Sequence, residues 1–244
     1  MRIWICLIAG TPNFMPGKRS RFSRVCVFLL GGWVLLGTFA TAGDAAIPDW
    51  TLVRDREGIQ VFTREVSGSP LRAVRAVARV KASATQVVAL LRDVPERPSW
   101  DATCASAEVI GHDANGAEKV YVHSRLPWPV KDRDMVLRAS WSVDAGSKTI
   151  SMTAQAISGG VDIRPDRVRI VEASNVWYIK SLGESESEIV TEIHLDPGGQ
   201  LPAWLLNYLS EEAPFDSLHK IRQIVESGRY KSVHGALNPL VTVE

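Results

Sequence analysis

Arg97 and Asp101 carry the spacing in this chain most suited to chemistry. Four residues apart, they share one face of a helix, and an arginine fork matches the geometry of a carboxylate or phosphate. The pattern suits a structural ion pair and an anion site alike. Pro98, directly after Arg97, disfavours helical geometry at the arginine. Arg133 and Asp134 are adjacent, and neighbours on a strand point to opposite faces. That pair reads as structural, pinning the turn before it. Trp128, between Pro127 and Pro129, reads as a packed turn aromatic. Arg125, Arg138, Glu172 and His194 alternate with apolar neighbours and are candidate inward polar handles, their face depending on register.

Signatures of covalent or metal catalysis are missing. The sequence has no G-x-S-x-G elbow, no H-E-x-x-H and no glycine-rich phosphate loop between a strand and a helix. Its five histidines, at 112, 123, 194, 219 and 234, lack metal-ligand spacing. Glu184, Glu186 and Glu188 alternate with serines beside a turn and read as a solvated strand face. No metal and no cofactor are expected.

Residues 1–42 carry Arg2, Lys18, Arg19, Arg21 and Arg24 and no acidic residue. An apolar run from Val25 to Phe39 follows the basic stretch, then Ala40-Thr41-Ala42. Basic region, short apolar region and small-x-small site together read as a cleaved secretory signal. The apolar run is short for a membrane span, which needs about 20 residues. A spacer (43–48) leads into one domain over 49–230, and a loose tail is expected over 231–244. Of 28 Lys and Arg, 23 follow residue 42, against 27 Asp and Glu, a net of −4. That balance argues against nucleic acid as a partner. Cys104 is the only cysteine after residue 42, so no internal disulfide can form.

The elements that must position these residues are mostly strands. A short helix is expected over Asp49 to Arg54, then a turn at Asp55 to Gly58. Strand candidates follow at Ile59–Arg64 and Leu71–Val80. Ser83-Ala84-Thr85-Gln86 has the form of a capping box. It opens a helix that reaches Asp93 and is stopped by Pro95. A short helical segment is expected over Arg97 to Thr103. Seven further strand candidates are Ala107–Gly111, Lys119–Leu126, Met135–Val143, Thr149–Ala156, Arg167–Glu172, Val176–Leu182 and Glu188–Leu195, hairpin-linked and hence antiparallel. Pro202 then opens a long helix running to about Gly228. Its apolar residues recur at helical spacing except across Leu209 to Phe215, where Pro214 is expected to kink or divide it. The reading is α+β: a curved antiparallel sheet of about nine strands wrapped around a long C-terminal helix. Such packing can leave a cavity between helix and sheet.

Three local patterns, in order along about 180 residues, resemble the START family of lipid-transfer domains, whose architecture is the helix-grip fold. They are Arg97-Pro-Ser-Trp-Asp101, Leu126-Pro-Trp-Pro-Val-Lys-Asp-Arg-Asp134, and Asp196-Pro-Gly-Gly-Gln-Leu-Pro-Ala-Trp-Leu-Leu-Asn207. The resemblance implies one lipid or sterol held in an internal tunnel. It also implies that Arg97 faces a headgroup phosphate at the closed end, with Asp101 beside it, as in choline-lipid members. The helix face carrying Trp204, Leu205, Tyr208 and Leu209 is expected to line the tunnel near its mouth. The expected protein is a monomeric, periplasmic or secreted lipid carrier with transient membrane contact and no enzymatic step. The alternatives are a helix-grip enzyme of the polyketide cyclase type and a non-transporting lipid sensor.

Cleavage is expected after Ala42. N-terminal sequencing of the exported protein should begin at Gly43, and a mature form retaining residues 15–42 would mean an anchored protein instead.

Overall fold

The structure is a computed structural model that describes residues 50–232. The expected signal segment, the spacer and all but the first two residues of the expected tail lie outside the described residues.

Nine strands form one antiparallel path: β1 (Thr51–Arg56), β2 (Ile59–Arg64), β3 (Ala73–Val80), β4 (Cys104–His112), β5 (Glu118–Ser124), β6 (Asp132–Asp144), β7 (Thr149–Ala156), β9 (Ala173–Ser181) and β10 (Ser187–Leu195). Their spatial order is β1-β2-β3-β10-β9-β7-β6-β5-β4, and a short β8 (Arg167–Arg169) pairs in parallel with the start of β6. Helix α1 (Ala84–Arg92) follows β3. The chain ends in α2 (Ala203–Asn207), a π turn (Tyr208–Glu212) and α3 (Ala213–Glu226).

Local chemistry explains most of these elements. In β2, Ile59, Val61 and Thr63 are buried while their neighbours are half-exposed, the period-two pattern of a strand with one covered face. The capping box forms as expected. Ser83 Oγ accepts the Gln86 N–H at 3.3 Å, and Gln86 Oε1 accepts the Ser83 N–H at 2.9 Å.

Two expected local structures are corrected. Where a helix was expected over 49–54, the described part is a strand: Thr51–Arg56 is an edge strand paired with β2. Glu57 and Gly58 both have positive φ (54° and 68°), which makes a tight two-residue hairpin. This strand is largely exposed on both faces, so its sequence carries no alternation. The segment expected to be helical from Arg97 to Thr103 is instead a 3-10 helix earlier in the chain, Val94–Ser99. The long helix is divided just ahead of Pro214. Proline offers no N–H to the preceding turn, and Ala213 N–H reaches back five residues to the Tyr208 carbonyl.

Buried apolar side chains form two clusters. One joins β2, β3, β9 and β10 to α1 and α3 through Val87, Leu90, Phe215, Leu218 and Ile221. The other is built on β4–β7, with Val122, Met135 and Leu137, and takes in Val94 and Ile170 from outside those strands.

A charged group lies behind the second cluster. Asp134, almost fully buried, accepts from Arg169 Nε at 2.7 Å, Arg169 Nη2 at 3.1 Å and the Tyr121 hydroxyl at 2.8 Å. Burial pushes the Asp134 carboxyl up, but the Arg169 and Tyr121 bonds and the Arg169 charge outweigh it and hold it below the usual carboxylate range. Its contribution to stability is therefore present above the unfolded aspartate pKa of about 3.9 and lost as pH falls through the lower folded value. Asp134→Asn should cost about 3–5 kcal/mol because it strands a buried arginine. Denaturant unfolding at neutral pH and at pH 3 checks this: the gap between wild type and variant should shrink in acid.

Candidate functional site

The strand ends and loops at one end of the sheet, together with the terminal helix, line a cavity of about 510 Å³. Its walls draw on both clusters, with Val74, Trp100 and Trp177 from the first and Met135 and Ile170 from the second. Trp100 and Trp177 meet edge to face at 5.8 Å, deepest along the strands. Thr63, Asn175 and Thr191 set polar groups in the sheet wall, and the Thr191 hydroxyl donates to Asn175 Oδ1 at 3.1 Å.

Arg97 and Asp101 both line the cavity. The 3-10 geometry reconciles Pro98 with the expected pairing: Trp100 N–H and Asp101 N–H both bond the Arg97 carbonyl, at 3.1 and 2.9 Å. Arg97 Nε donates to Asp101 Oδ2 at 2.9 Å. Asp101 Oδ1 accepts from the Thr103 N–H and hydroxyl, both at 3.1 Å. Burial raises the Asp101 carboxyl, yet the Arg97 charge and the Thr103 bonds leave it below its ordinary value, so it is ionised at neutral pH. The Arg97 guanidinium carbon lies 5.4 Å from the Trp100 ring centroid. Cys104 is buried nearby, and burial pushes its thiol up to about 11, which keeps it protonated and unreactive at neutral pH.

The helix wall differs from expectation. Leu209 lines the cavity, together with Leu206, Ser210, Ala213 and Ser217. Leu205 is fully buried but outside the lining, Trp204 is 55% exposed, and Tyr208 is half-buried and also outside it. The reason is the π turn. It inserts one residue into the helical count, so the face of α2 is rotated relative to that of α3.

Arg133 is a wall residue with a structural task. Nearly fully buried, it donates through Nε to the Pro197 carbonyl at 3.0 Å, through Nη2 to the Gly198 carbonyl at 2.8 Å, and through Nη1 to the Lys131 carbonyl at 2.5 Å. The turn it grips needs glycine: Gly198 has φ +67°, and a Cβ there would lie 2.9 Å from a Val168 methyl. Of the four candidate polar handles, none lines the cavity. Arg138 pairs with Asp113, His194 contacts Ser69, and Arg125 and Glu172 are exposed. Asn175, Thr191 and Thr63, which do set polar groups in the sheet wall, sit in ordinary strand sequence and give no local signal.

Trp128 is also corrected: it is 91% exposed rather than packed. Asp132 holds its turn without help from the indole, accepting from Leu126 N–H at 3.1 Å and contacting His123 Nε2 at 2.7 Å.

A curved antiparallel sheet closed by a divided terminal helix over a cavity with one buried ion pair defines a helix-grip ligand-binding domain. The family model of the START domain matches residues 38–229, and the chain belongs to that family. It is 33% identical to a STAR-related lipid transfer protein of Xanthomonas axonopodis of known structure, with a TM-score of 0.65, covering 72% of this chain and 98% of that one. It is 28% identical over 188 residues to an uncharacterised protein of Pseudomonas aeruginosa, covering 77% of this chain and 92% of the relative. It is 27% identical over 169 residues to human START domain-containing protein 10; the match covers 66% of this chain and 56% of that longer protein.

The placement of the helix wall is testable by stability. Leu205→Glu puts a carboxylate into a fully buried position, which should cost about 4 kcal/mol or more and lower Tm by about 10 °C. Leu209→Glu, facing the cavity, should lower Tm by less than about half as much. Thermal scans of the two variants decide it.

Proposed function

We propose that the chain is an exported lipid-binding and transfer protein that holds one lipid or sterol molecule in its cavity and acts as a monomer, without covalent chemistry. The observation that carries this reading is the cavity itself: an apolar space walled by Val74, Met135, Leu206 and Leu209, with its one buried ion pair near the tryptophans. Removing apolar ligand surface from water supplies the driving force, at about 25 cal/mol per Å². Arg97 is the residue we assign to an anionic headgroup, with Asp101 fixing the orientation of its guanidinium. The transfer function of the Xanthomonas relative supports the reading, as its name describes it. The basic, apolar and small-residue pattern of residues 1–42 supports export.

A lipid carrier has to meet a membrane. Trp128 (91% exposed), Ile163 (76%), Val171 (63%) and Trp204 (55%) sit on the segments at the cavity end of the sheet. Those segments are tied together: Lys131 Nζ bonds the Pro165 carbonyl at 3.3 Å, Asp196 N–H bonds the Glu172 carbonyl at 2.9 Å, and Arg133 holds Pro197 and Gly198. Large exposed apolar side chains gathered on one end suit contact with a lipid surface.

Organic extraction of the purified protein, followed by mass spectrometry, tests the central reading. One lipid at near-equal stoichiometry is expected; an extract that stays empty after incubation with vesicles would overturn it. Trp128→Ala combined with Trp204→Ala should reduce binding to phosphatidylcholine–phosphatidylglycerol vesicles by about thirtyfold or more, each indole contributing on the order of 1–2 kcal/mol of apolar burial. Co-sedimentation measures this, and Tm should hardly change because both side chains are exposed in the free protein.

A further inference from the structure

The cavity reaches water on one side of its rim. Of the described residues that line it, only Pro70, Arg72 and Asn207 are exposed. Pro70 and Arg72 stand on the loop between β2 and β3, and Asn207 ends α2. On the opposite side Leu126, Ile170 and Pro197 line the cavity and are buried.

The two sides are held differently. On the buried side, Arg133 bonds the carbonyls of Lys131, Pro197 and Gly198, and Asp132 accepts the Leu126 N–H. Ile170 N–H bonds the Asp134 carbonyl at 2.8 Å, and the Lys131–Pro165 and Asp196–Glu172 bonds join the same segments. The β2–β3 loop, residues 65–72, has far less. Ser69 N–H bonds the Val66 carbonyl at 3.0 Å and Leu71 N–H bonds Ser69 Oγ at 3.1 Å, both within the loop. Arg72 and Glu65 lie 3.8 Å apart with well-exposed side chains, a pairing that contributes little. Among the described residues, the loop's one side-chain hydrogen bond to the rest of the protein joins Ser69 Oγ and His194 Nε2 at 3.2 Å.

The stem of the loop is fixed. The Arg64 and Arg75 guanidinium carbons lie 4.7 and 4.4 Å from the Trp50 ring centroid, Arg75 also pairs with Glu192, and Arg64 faces Ala73 in the ladder. Motion is thereby confined to residues 65–72, where Gly68 takes φ +79°.

We propose that residues 65–72 form a strap over the portal of the cavity, with His194 as its latch, and that the ligand enters and leaves between this strap and α2. Lifting the strap breaks one neutral hydrogen bond and uncovers the half-buried Leu71. Opening the other side breaks the charge-assisted bonds of a buried arginine, which are stronger. Segments held by few buried bonds are the ones that open locally. The proposal rests on the lipid-binding reading above and adds the route.

Amide hydrogen exchange on the ligand-free full-length protein tests the strap. Amides in 65–72 should exchange faster than those in 195–199, and His194→Ala should speed exchange in 65–72 by about two- to tenfold, the effect of losing one hydrogen bond. Equal rates in the two segments would overturn the strap. Transfer of NBD-phosphatidylcholine, NBD-phosphatidylglycerol and dehydroergosterol between vesicles tests the portal. For the lipid that the wild type moves fastest, His194→Ala should raise the rate by about two- to tenfold and leave the equilibrium bound fraction unchanged, because the latch is lost from the loaded and empty forms alike. A second variant, Ser69→Cys with His194→Cys, is made with Cys6 and Cys26 replaced by serine, and Cys104 is buried with its thiol protonated. Bridging the new pair with bismaleimidoethane should slow transfer at least tenfold relative to the unbridged protein. Transfer at the unbridged rate, or an unchanged rate in a His194→Ala protein whose strap exchanges faster, would overturn the portal and leave lipid binding standing. If the wild type moves none of the three lipids, the lipid-binding reading falls, while hydrogen exchange still decides the strap.

Discussion

The grip of Arg133 on three backbone carbonyls ties together two turns at the cavity end of the sheet. Its guanidinium bonds Lys131 on its own approach to β6 and Pro197 and Gly198 on the turn that leaves β10. The two turns are far apart in sequence, and the second leads directly into the terminal helix. Fixing it relative to β6 sets where α2 begins, hence how far the helix stands from the sheet. The cost is a buried cation that meets carbonyl dipoles rather than a carboxylate. Burial accordingly lowers the Arg133 pKa, although a guanidinium starts so high that it stays charged. Carbonyl oxygens suit this task because they cannot be neutralised by a change of pH.

The two arginine–aspartate pairs divide the labour differently. Around Asp134, both carboxylate oxygens and the facing Arg169 donors are satisfied within the protein, with further bonds from Arg169 to the Val161 and Asp162 carbonyls. Such closure holds the 161–170 segment against β6 and leaves nothing for a ligand. Around Asp101, the carboxylate is satisfied but its arginine is not. Arg97 lines the cavity with its terminal nitrogens outside the pair, whereas Arg169 spends its donors on Asp134 and two backbone carbonyls.

Much of the architecture was legible in local chemistry. The alternating strands, the capping box at Ser83 and the break ahead of Pro214 each follow from residues within a few positions of one another. β1 was not legible, because an edge strand exposed on both faces carries no alternation, and its strand state comes from the hairpin at Glu57 and Gly58. At the site, the spacing of Arg97 and Asp101 announced their pairing. Of the four residues expected in the helix wall only Leu209 lines the cavity; Trp204, Leu205 and Tyr208 do not, since a π turn shifts the phase without changing composition. Asn175, Thr191 and Arg169 acquire their partners across the sheet, from residues 16 and 35 positions away, so no short window could assign them.

The cavity also bears on the hydration of the empty protein. The space opens to solvent at the end of the sheet, so in the empty protein water occupies it, and an apolar ligand gains by displacing that water. The polar groups of Thr63, Asn175, Thr191 and Ser210 give water partners along the walls. The divided helix gives the wall a place to yield. Arg54 pairs with Glu212 in the π turn, anchoring the helix there to β1, while α2 beyond that anchor has Trp204 and Asn207 exposed. Movement of α2 about the π turn disturbs few buried contacts besides Leu205. The same turn thus separates a sparsely packed α2 from α3, whose Phe215, Leu218 and Ile221 belong to the first apolar cluster.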